Sequence, residues 1–391
     1  MIYLDAAATS GYSDVDDIII NTMTNAMKSY WENPSSLYAS DIKEEIDKCR
    51  AKIAKFIGAK SDEIYFTSGA SESNNWAIKG WTDEVWLNTY KTANIITTRI
   101  EHKSILEVLD KGNLGAVVGY CDVDEFGLVD CESLEQMLLM RKGKPVLVSI
   151  HMANNEIGVI QDIKRISDLV HKYGGVLHVD ATQAFGHIHI NVKELGIDLM
   201  SASGHKISPV LKGIGFLYKK NCINIQPLIY GAQENHMRGG TENTFGIIGL
   251  NKAVEYCDVR EDKIREMYSK RDYFIGCLEY KFGCKLNGHP TKRLPNNISI
   301  TFPQNITGES LLYTLDLSGI QIATGSACNS HSITPSYVLK EIGLTNEQAM
   351  RTIRITLSDD ITYEDIDYVI EEIERSLKLI ETQEALNVPS L

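Results

Sequence analysis

The sequence predicts an α/β fold, with a large domain built on a mostly parallel sheet flanked by helices and a smaller α+β domain toward the C-terminal end. Three observations carry this reading. From about Ser40 onward, short apolar runs alternate with amphipathic helical stripes. The spacing between runs suits the roughly 10 to 15 helical residues that link parallel strands. After about Cys257 the texture changes to long charged helices interleaved with two further apolar runs. The boundaries expected are residues 14–256 for the large domain, and 1–13 with 257–391 for the small one.

The first clear helix follows Ser40, where Ile42, Ile46, Cys49, Ile53 and Phe56 fall on one stripe. The runs Ile64-Tyr65-Phe66, 93–97, 145–150, 176–179 and 198–201 are too short for helices and end in turn residues, so they read as buried strands. In the second region, 297–302 and 354–357 read the same way. The last helix opens on Thr362-Tyr363-Glu364-Asp365, a capping box. Its stripe of Ile366, Val369, Ile370, Ile373, Leu377 and Ile380 is structural and carries no chemistry.

Composition narrows the function classes. The chain has 391 residues, 43% hydrophobic and 23% charged, which is globular rather than disordered. Its formal net charge of −13, without a long Lys/Arg run, argues against a nucleic-acid partner. The N-terminal stretch lacks a basic region and meets Asp5 early, so no signal or transit peptide is expected. No apolar stretch approaches the roughly 18 residues of a spanning helix, so no membrane partner and a cytoplasmic location are expected. None of the eight cysteines forms a CxxC or a Cys/His array with zinc-like spacing, so no metal site is expected. In a reducing compartment they are free thiols. Most sit among apolar neighbours; Cys328 instead sits in Thr324-Gly325-Ser326-Ala327-Cys328-Asn329-Ser330, which suits a mobile, exposed loop.

Ligands of open parallel sheets gather beyond the carboxyl ends of the strands, so the residues after each apolar run carry the chemistry. Ser68-Gly69-Ala70-Ser71 follows the first run and opens a helix whose N-terminal amides, with the Ser71 hydroxyl, would hold a phosphate; a plain capped helix start is the rival. Another run ends in Asp180-Ala181-Thr182-Gln183, where Asp180 is either a helix cap or a carboxylate facing a bound ring. The next ends in Ser203-Gly204-His205-Lys206. A lysine beside serine and histidine, with an acid on the preceding strand end, matches what pyridoxal phosphate requires: an amine for its aldehyde, an acid for its pyridinium nitrogen and donors for its phosphate. A dinucleotide site fails, because no G-x-G-x-x-G follows a strand and no Walker loop is present.

Taken in order, Tyr3-Leu4-Asp5, Asn33-Pro34-Ser35-Ser36, Thr67-Ser68-Gly69-Ala70-Ser71-Glu72-Ser73-Asn74, Glu101-His102-Lys103, Asn154-Asn155-Glu156-Ile157-Gly158, Asp180-Ala181-Thr182-Gln183, Ser203-Gly204-His205-Lys206, Arg238-Gly239-Gly240-Thr241-Glu242-Asn243 and Gly325-Ser326-Ala327-Cys328 resemble the NifS/IscS-like cysteine desulfurases, class V aminotransferases. The resemblance spans nearly the whole chain. It implies a fold-type I pyridoxal phosphate (PLP) enzyme with a seven-stranded sheet that converts L-cysteine to L-alanine and leaves a persulfide on its own cysteine, for iron-sulfur cluster or thio-cofactor assembly. In that reading Lys206 is the Schiff-base lysine, Asp180 the pyridinium partner, and His102 stacks on the ring and assists proton transfer. Asn155 and Gln183 bond the cofactor. Ala70, Ser71, Ser203 and His205 bind its phosphate, with Thr241 reaching the partner's site in a homodimer. Asn33, Asn155 and Arg354 hold the substrate, and Cys328 as thiolate takes the sulfur and delivers it to an acceptor or scaffold protein.

Each side chain has a plainer rival: a satisfied core histidine for His102, a turn former for Asn155, a solvent-facing strand position for Arg354. Departures from the family pattern fall at Ala6, Tyr38, Ser40, His331 and 358–360, near the expected substrate entrance and sulfur-carrying loop. Two other functions share these residues: a selenocysteine lyase or another class V aminotransferase-type enzyme, and a sulfur-relay or assembly subunit without turnover.

Overall fold

The computed structural model describes every residue except 37, 325, 330, 331 and 387–391. Its centre is a seven-stranded sheet in the order Ile64–Thr67, Gly215–Lys219, Leu199–Ser203, Val176–Asp180, Val146–His151, Asn94–Thr98, Val117–Cys121. Gly215–Lys219 runs antiparallel to both of its neighbours, and the other described ladders of this sheet are parallel. The expectation of a mostly parallel seven-stranded sheet is therefore met.

Burial on both faces explains why these strands read as continuous apolar runs. Every residue of Val146–His151 and of Leu199–Ser203 is buried. Three central strands also carry polar residues inward, and these are paired. The His178 ring meets Ser149 Oγ at 2.9 Å and Ser201 Oγ at 3.0 Å, and burial pushes its pKa down to about 4. It is a neutral cross-strand bridge at physiological pH.

A second core forms around the antiparallel sheet Ala323–Thr324, Thr352–Thr356, Asn297–Thr301, Lys285–Leu286. Helices Glu261–Phe282 and Tyr363–Leu386 cover it, and Leu4 is inserted from the N-terminus. The last helix starts as its sequence predicts: Thr362 Oγ1 accepts from Asp365 N at 3.0 Å, and Asp365 Oδ2 accepts from Thr362 N at 3.0 Å.

The two cores meet along a seam of backbone hydrogen bonds. Leu294 N donates to Gly158 O at 2.8 Å and Ile160 N donates to Lys292 O at 2.9 Å. Arg293, fully buried, sends its guanidinium to the carbonyls of Ile157, Asn287, His289 and Asn297 at 3.2 to 3.4 Å. The turn that carries Asn155 is thereby fixed to the sheet that carries Arg354. Asp359, one of the departures, pairs with buried Arg260 (Nη1–Oδ2 2.8 Å).

Around Cys328 the structure differs from the expected loop. Ser326–Asn329 pairs antiparallel with Ser332–Pro335, placing Cys328 opposite Ile333 in a two-stranded hairpin. Ile333 and Thr334 are β-branched and favour extended backbone, which outweighs the small polar residues on the other strand.

Candidate active site

One cavity of about 740 Å³ lies where the parallel strands end, against the seam between the two cores. Since Gly215–Lys219 runs the other way, its leading residues Lys212 and Gly213 reach the same edge. Five strand ends thus contribute to one wall: Ser68–Glu72, His102, His151 with Ala153, Asp180 with Thr182 and Gln183, and Ser203 with His205 and Lys206. Asn155, Arg354 and the N-terminal residues Ala7, Ala8 and Thr9 close it.

At one end stands the N-terminus of the 20-residue helix Ala70–Thr89, whose N-cap is Gly69 and which has no side-chain cap. Its first amides have no acceptor within the helix and face the cavity with the positive end of the helix dipole. Gly69 has φ 149°, a backbone that favours glycine. Its close approach also requires Gly215, where a Cβ would stand 2.7 Å from Gly69 Cα. Ser71 and Ser203 add hydroxyls, and His205 is fixed by Thr9 (Nδ1···Oγ1 3.2 Å). Burial, with the charges of Lys206 and Lys212, pushes His205 down to about 4, so it serves as a neutral hydrogen-bonding group. Glu72 also lines this end, but Arg238 holds it (Nε–Oε1 2.9 Å).

The opposite end is acidic. Asp180 is 5% exposed; its Oδ1 accepts from Thr182 N at 2.9 Å and from the Thr182 hydroxyl, and its Oδ2 accepts from Asn74 Nδ2 at 2.8 Å. Those donors are neutral, so among the described residues the carboxylate is hydrogen-bonded without a cation in contact. Asn74 Nδ2 also donates to Ser104 Oγ at 2.9 Å, and Ser104 Oγ lies 2.8 Å from His102 Nδ1. His102 is exposed on the cavity wall, as the N-cap of Lys103–Lys111, so it is not the core histidine of the rival reading.

Between the two ends lies Lys206, its Nζ donating to Ala7 O at 2.7 Å and Ala8 O at 2.8 Å. Burial first, and then the Arg354 charge, pushes its pKa down to about 8, with Asp180 and Asp5 pulling the other way. Gln183 Nε2 donates to the same Ala7 carbonyl at 3.0 Å. Arg354, half-buried and turned into the cavity, donates Nη2 to Asp5 Oδ1 at 2.5 Å and Nη1 to Asn155 O at 3.1 Å. Its Nε is buried without a partner among the described residues.

The cavity brings together Ala70, Ser71, His102, Asn155, Asp180, Gln183, Ser203, His205, Lys206 and Arg354. It does not bring in Asn33, whose Oδ1 accepts from Ser35 N at 2.9 Å, nor Thr241, which lines a neighbouring pocket with Arg238, Gly240, Glu242 and Asn243. The Cys328 side chain lies outside the described part of the hairpin. The thiols of Cys49, Cys121 and Cys284 are pushed up to about 12 by burial, far from nucleophilic range, and none of them lines the cavity. Sequence reasoning missed Ser104, Lys212 and the Ala7 and Ala8 carbonyls as site groups. It quoted Asn74 only as part of a motif. A backbone carbonyl leaves no side-chain signal, whereas Ser104 two residues after a candidate histidine was readable as a capping partner.

These groups fit PLP. A buried carboxylate lacking a cation suits a protonated ring nitrogen, an uncapped helix terminus suits a phosphate, and an amine of depressed pKa lies between them.

The chain also matches known proteins. The aminotransferase class-V family profile matches residues 2–369. The cysteine desulfurase IscS of Dictyoglomus turgidum is 43% identical over 389 residues, covering 97% of this chain and 95% of that protein. The cysteine desulfurase IscS of Methanosarcina thermophila is 42% identical, covering 95% and 91%. Among solved structures, a NifS-like protein superposes with a TM-score of 0.87 at 33% identity, covering 97% of this chain and 99% of its own. SspA, solved in complex with cysteine, gives 0.78 at 32% identity, covering 92% and 99%.

Proposed function

The chain belongs to the class V aminotransferases, and from that premise we propose that it is a PLP-dependent cysteine desulfurase acting on L-cysteine. The observation that carries the reading is the meeting, in one cavity, of Lys206, the cation-free carboxylate of Asp180 and the uncapped terminus of Ala70–Thr89.

When bound, PLP supplies an electron-withdrawing ring that stabilises negative charge at the substrate Cα. Asp180 would hold its ring nitrogen. The Ala70 and Ser71 end, with Ser203 and His205, would hold its phosphate, Gln183 and Asn155 its ring substituents, and Thr241 of a second copy would complete the phosphate site in a homodimer. The remaining steps fall to the chain itself. Arg354 grips the substrate carboxylate with the fork that Asp5 and the Asn155 carbonyl orient; Asn33, outside the cavity, would assist only by moving toward it. Lys206 takes the Cα proton, which its depressed pKa allows near neutral pH. His102 faces the same space and moves a proton at its exposed ring nitrogen. The Cys328 thiolate attacks the substrate sulfur: an S–S bond forms, the Cβ–S bond breaks, its electron pair stays on carbon, and protonation there yields alanine. The persulfide then passes to a sulfur acceptor. A cytoplasmic location accords with this role, and no described helix is long and apolar enough to cross a membrane. The division into residues 14–256 and 1–13 with 257–391 belongs to the same proposal; the clusters around the seven-stranded and four-stranded sheets support it, while a smaller cluster joins Ile157 and Val159 to Val338 and Leu339 across the proposed boundary.

The test is incubation of the PLP-loaded protein with L-cysteine, followed by quantification of alanine and mass analysis of Cys328. Equal alanine and persulfide are expected, with both lost in Cys328→Ala. Pyruvate in place of alanine, or undiminished sulfide from Cys328→Ala, would overturn the assignment.

A further inference from the structure

We propose that Asn74 and Ser104 are positioning residues for the reaction, forming with Asp180 a directional hydrogen-bond chain that fixes His102 with its ring proton on Nε2. The inference rests on the PLP reading for its catalytic meaning, while the nitrogen assignment follows from geometry alone.

The direction of every bond in the chain is determined. Ser104 N donates to His102 Nδ1 at 3.1 Å, and a backbone amide can only donate, so Nδ1 carries the lone pair. Ser104 Oγ is 2.8 Å from the same nitrogen and must donate to it as well. Having spent its proton there, this hydroxyl accepts from Asn74 Nδ2 at 2.9 Å. The other N–H of that amide goes to Asp180 Oδ2 at 2.8 Å, and a carboxylate does not donate. Flipping the Asn74 amide would set its oxygen against both acceptors, which settles its orientation.

A second observation shows what this orientation leaves behind. Asn74 is 0% exposed, and its Oδ1 has no hydrogen-bond partner among the described residues. Helix packing does not require a buried amide with one orphaned end, and an apolar side chain would fill the place. The amide makes sense as a two-pronged donor that ties the acid under the ring nitrogen to the imidazole beside it. His102 also stands where Ser, Thr, Asp or Asn ordinarily caps a helix, with Nδ1 doing the capping. Nε2–H is left as the ring's only free polar group. The imidazole therefore enters the reaction as a donor from Nε2, held at one angle from two directions.

The test uses full-length holoenzyme with ¹⁵N-labelled histidine, His102 being assigned by comparison with His102→Gln. Wild-type protein is expected to show Nδ1 as the unprotonated nitrogen and Nε2 as the protonated one. Ser104→Ala keeps the backbone amide but loses the hydroxyl and the link to Asn74, so it is expected to retain the proton on Nε2, shift the Nδ1 resonance toward that of a free imidazole and lower kcat about tenfold with KM within about twofold; Ser104→Thr, which keeps the hydroxyl, is expected to restore the resonance and kcat. A proton on Nδ1 in the wild type overturns the inference whatever the variants do. So does unchanged kcat in a folded Ser104→Ala, or equal loss in the Ala and Thr variants. If the protein takes up no PLP, the functional reading fails, while the nitrogen pattern of the cofactor-free chain still decides the tautomer.

Discussion

The depressed pKa of Lys206 sets a pH dependence that can be worked out in advance. An ordinary lysine at 10.5 is about 0.1% neutral at pH 7.5, whereas one at about 8 is about one quarter neutral, a gain of roughly 240-fold in reactive amine. The shift corresponds to about 3 kcal/mol against the charged form, to which burial contributes most and Arg354 next. Protein stripped of cofactor and mixed with PLP at a series of pH values, then trapped with borohydride, reports the rate of adduct formation on Lys206 by peptide mass. Normalised to butylamine with the same aldehyde, the protein's advantage is expected to be greatest below pH 8. Its own rate rises about tenfold per unit up to pH 8 and then levels. Arg354→Gln removes a charge that holds the pKa down, so the break should move to higher pH; Asp5→Asn should move it lower. The same group makes folding more favourable with rising pH between about 8 and 10.5, because the unfolded chain holds the extra proton across that window. A rate that keeps climbing through pH 10 would refute the reasoning, since the amine would then be solvated and ordinary.

Three substitutions test the scaffold around the cavity. Gly215→Ala places a Cβ 2.5 Å from Ala202 O and 2.7 Å from Gly69 Cα, both backbone, so the helix terminus must shift; titration should show PLP bound at least about tenfold more weakly. Arg293→Met strips donors from the Ile157, Asn287, His289 and Asn297 carbonyls, and urea unfolding should register a loss of about 2 to 4 kcal/mol. Arg354→Lys keeps the charge but loses the fork, and steady-state kinetics should show the KM for cysteine raised about tenfold with kcat little changed.

How much of this was legible in advance follows from where each signal resides. Parallel topology concentrates ligands at strand ends, so Asp180, His205 and Lys206 could be found by looking just beyond apolar runs. The antiparallel Gly215–Lys219 strand was not singled out, although its direction is what delivers Lys212 and Gly213 to the cavity. Nothing in its composition encodes direction, which is set by pairing with Ile64–Thr67 and Leu199–Ser203. Cys328 was placed in a loop because its own neighbours are small and polar; the hairpin is decided by the facing strand, which carries the β-branched residues.

The groups that orient the reactive side chains were the least visible, for one physical reason. A reactive residue is conspicuous because its chemistry is unusual for its position, whereas an orienting group is ordinary and acts only through a partner distant in sequence. Ala7 and Ala8 hold Lys206 across 199 and 198 positions with carbonyls that any residue would supply. Asn74 meets Asp180 across 106. Arg293, read alone, is a charged residue expected at the surface, yet it is fully buried because four carbonyls from both sides of the seam converge on it. In the proposed mechanism, substrate grip depends on that convergence. Asp5 and the Asn155 carbonyl aim Arg354 from opposite sides of the boundary between the cores, so a seam that slipped would misdirect the guanidinium before it disturbed either core.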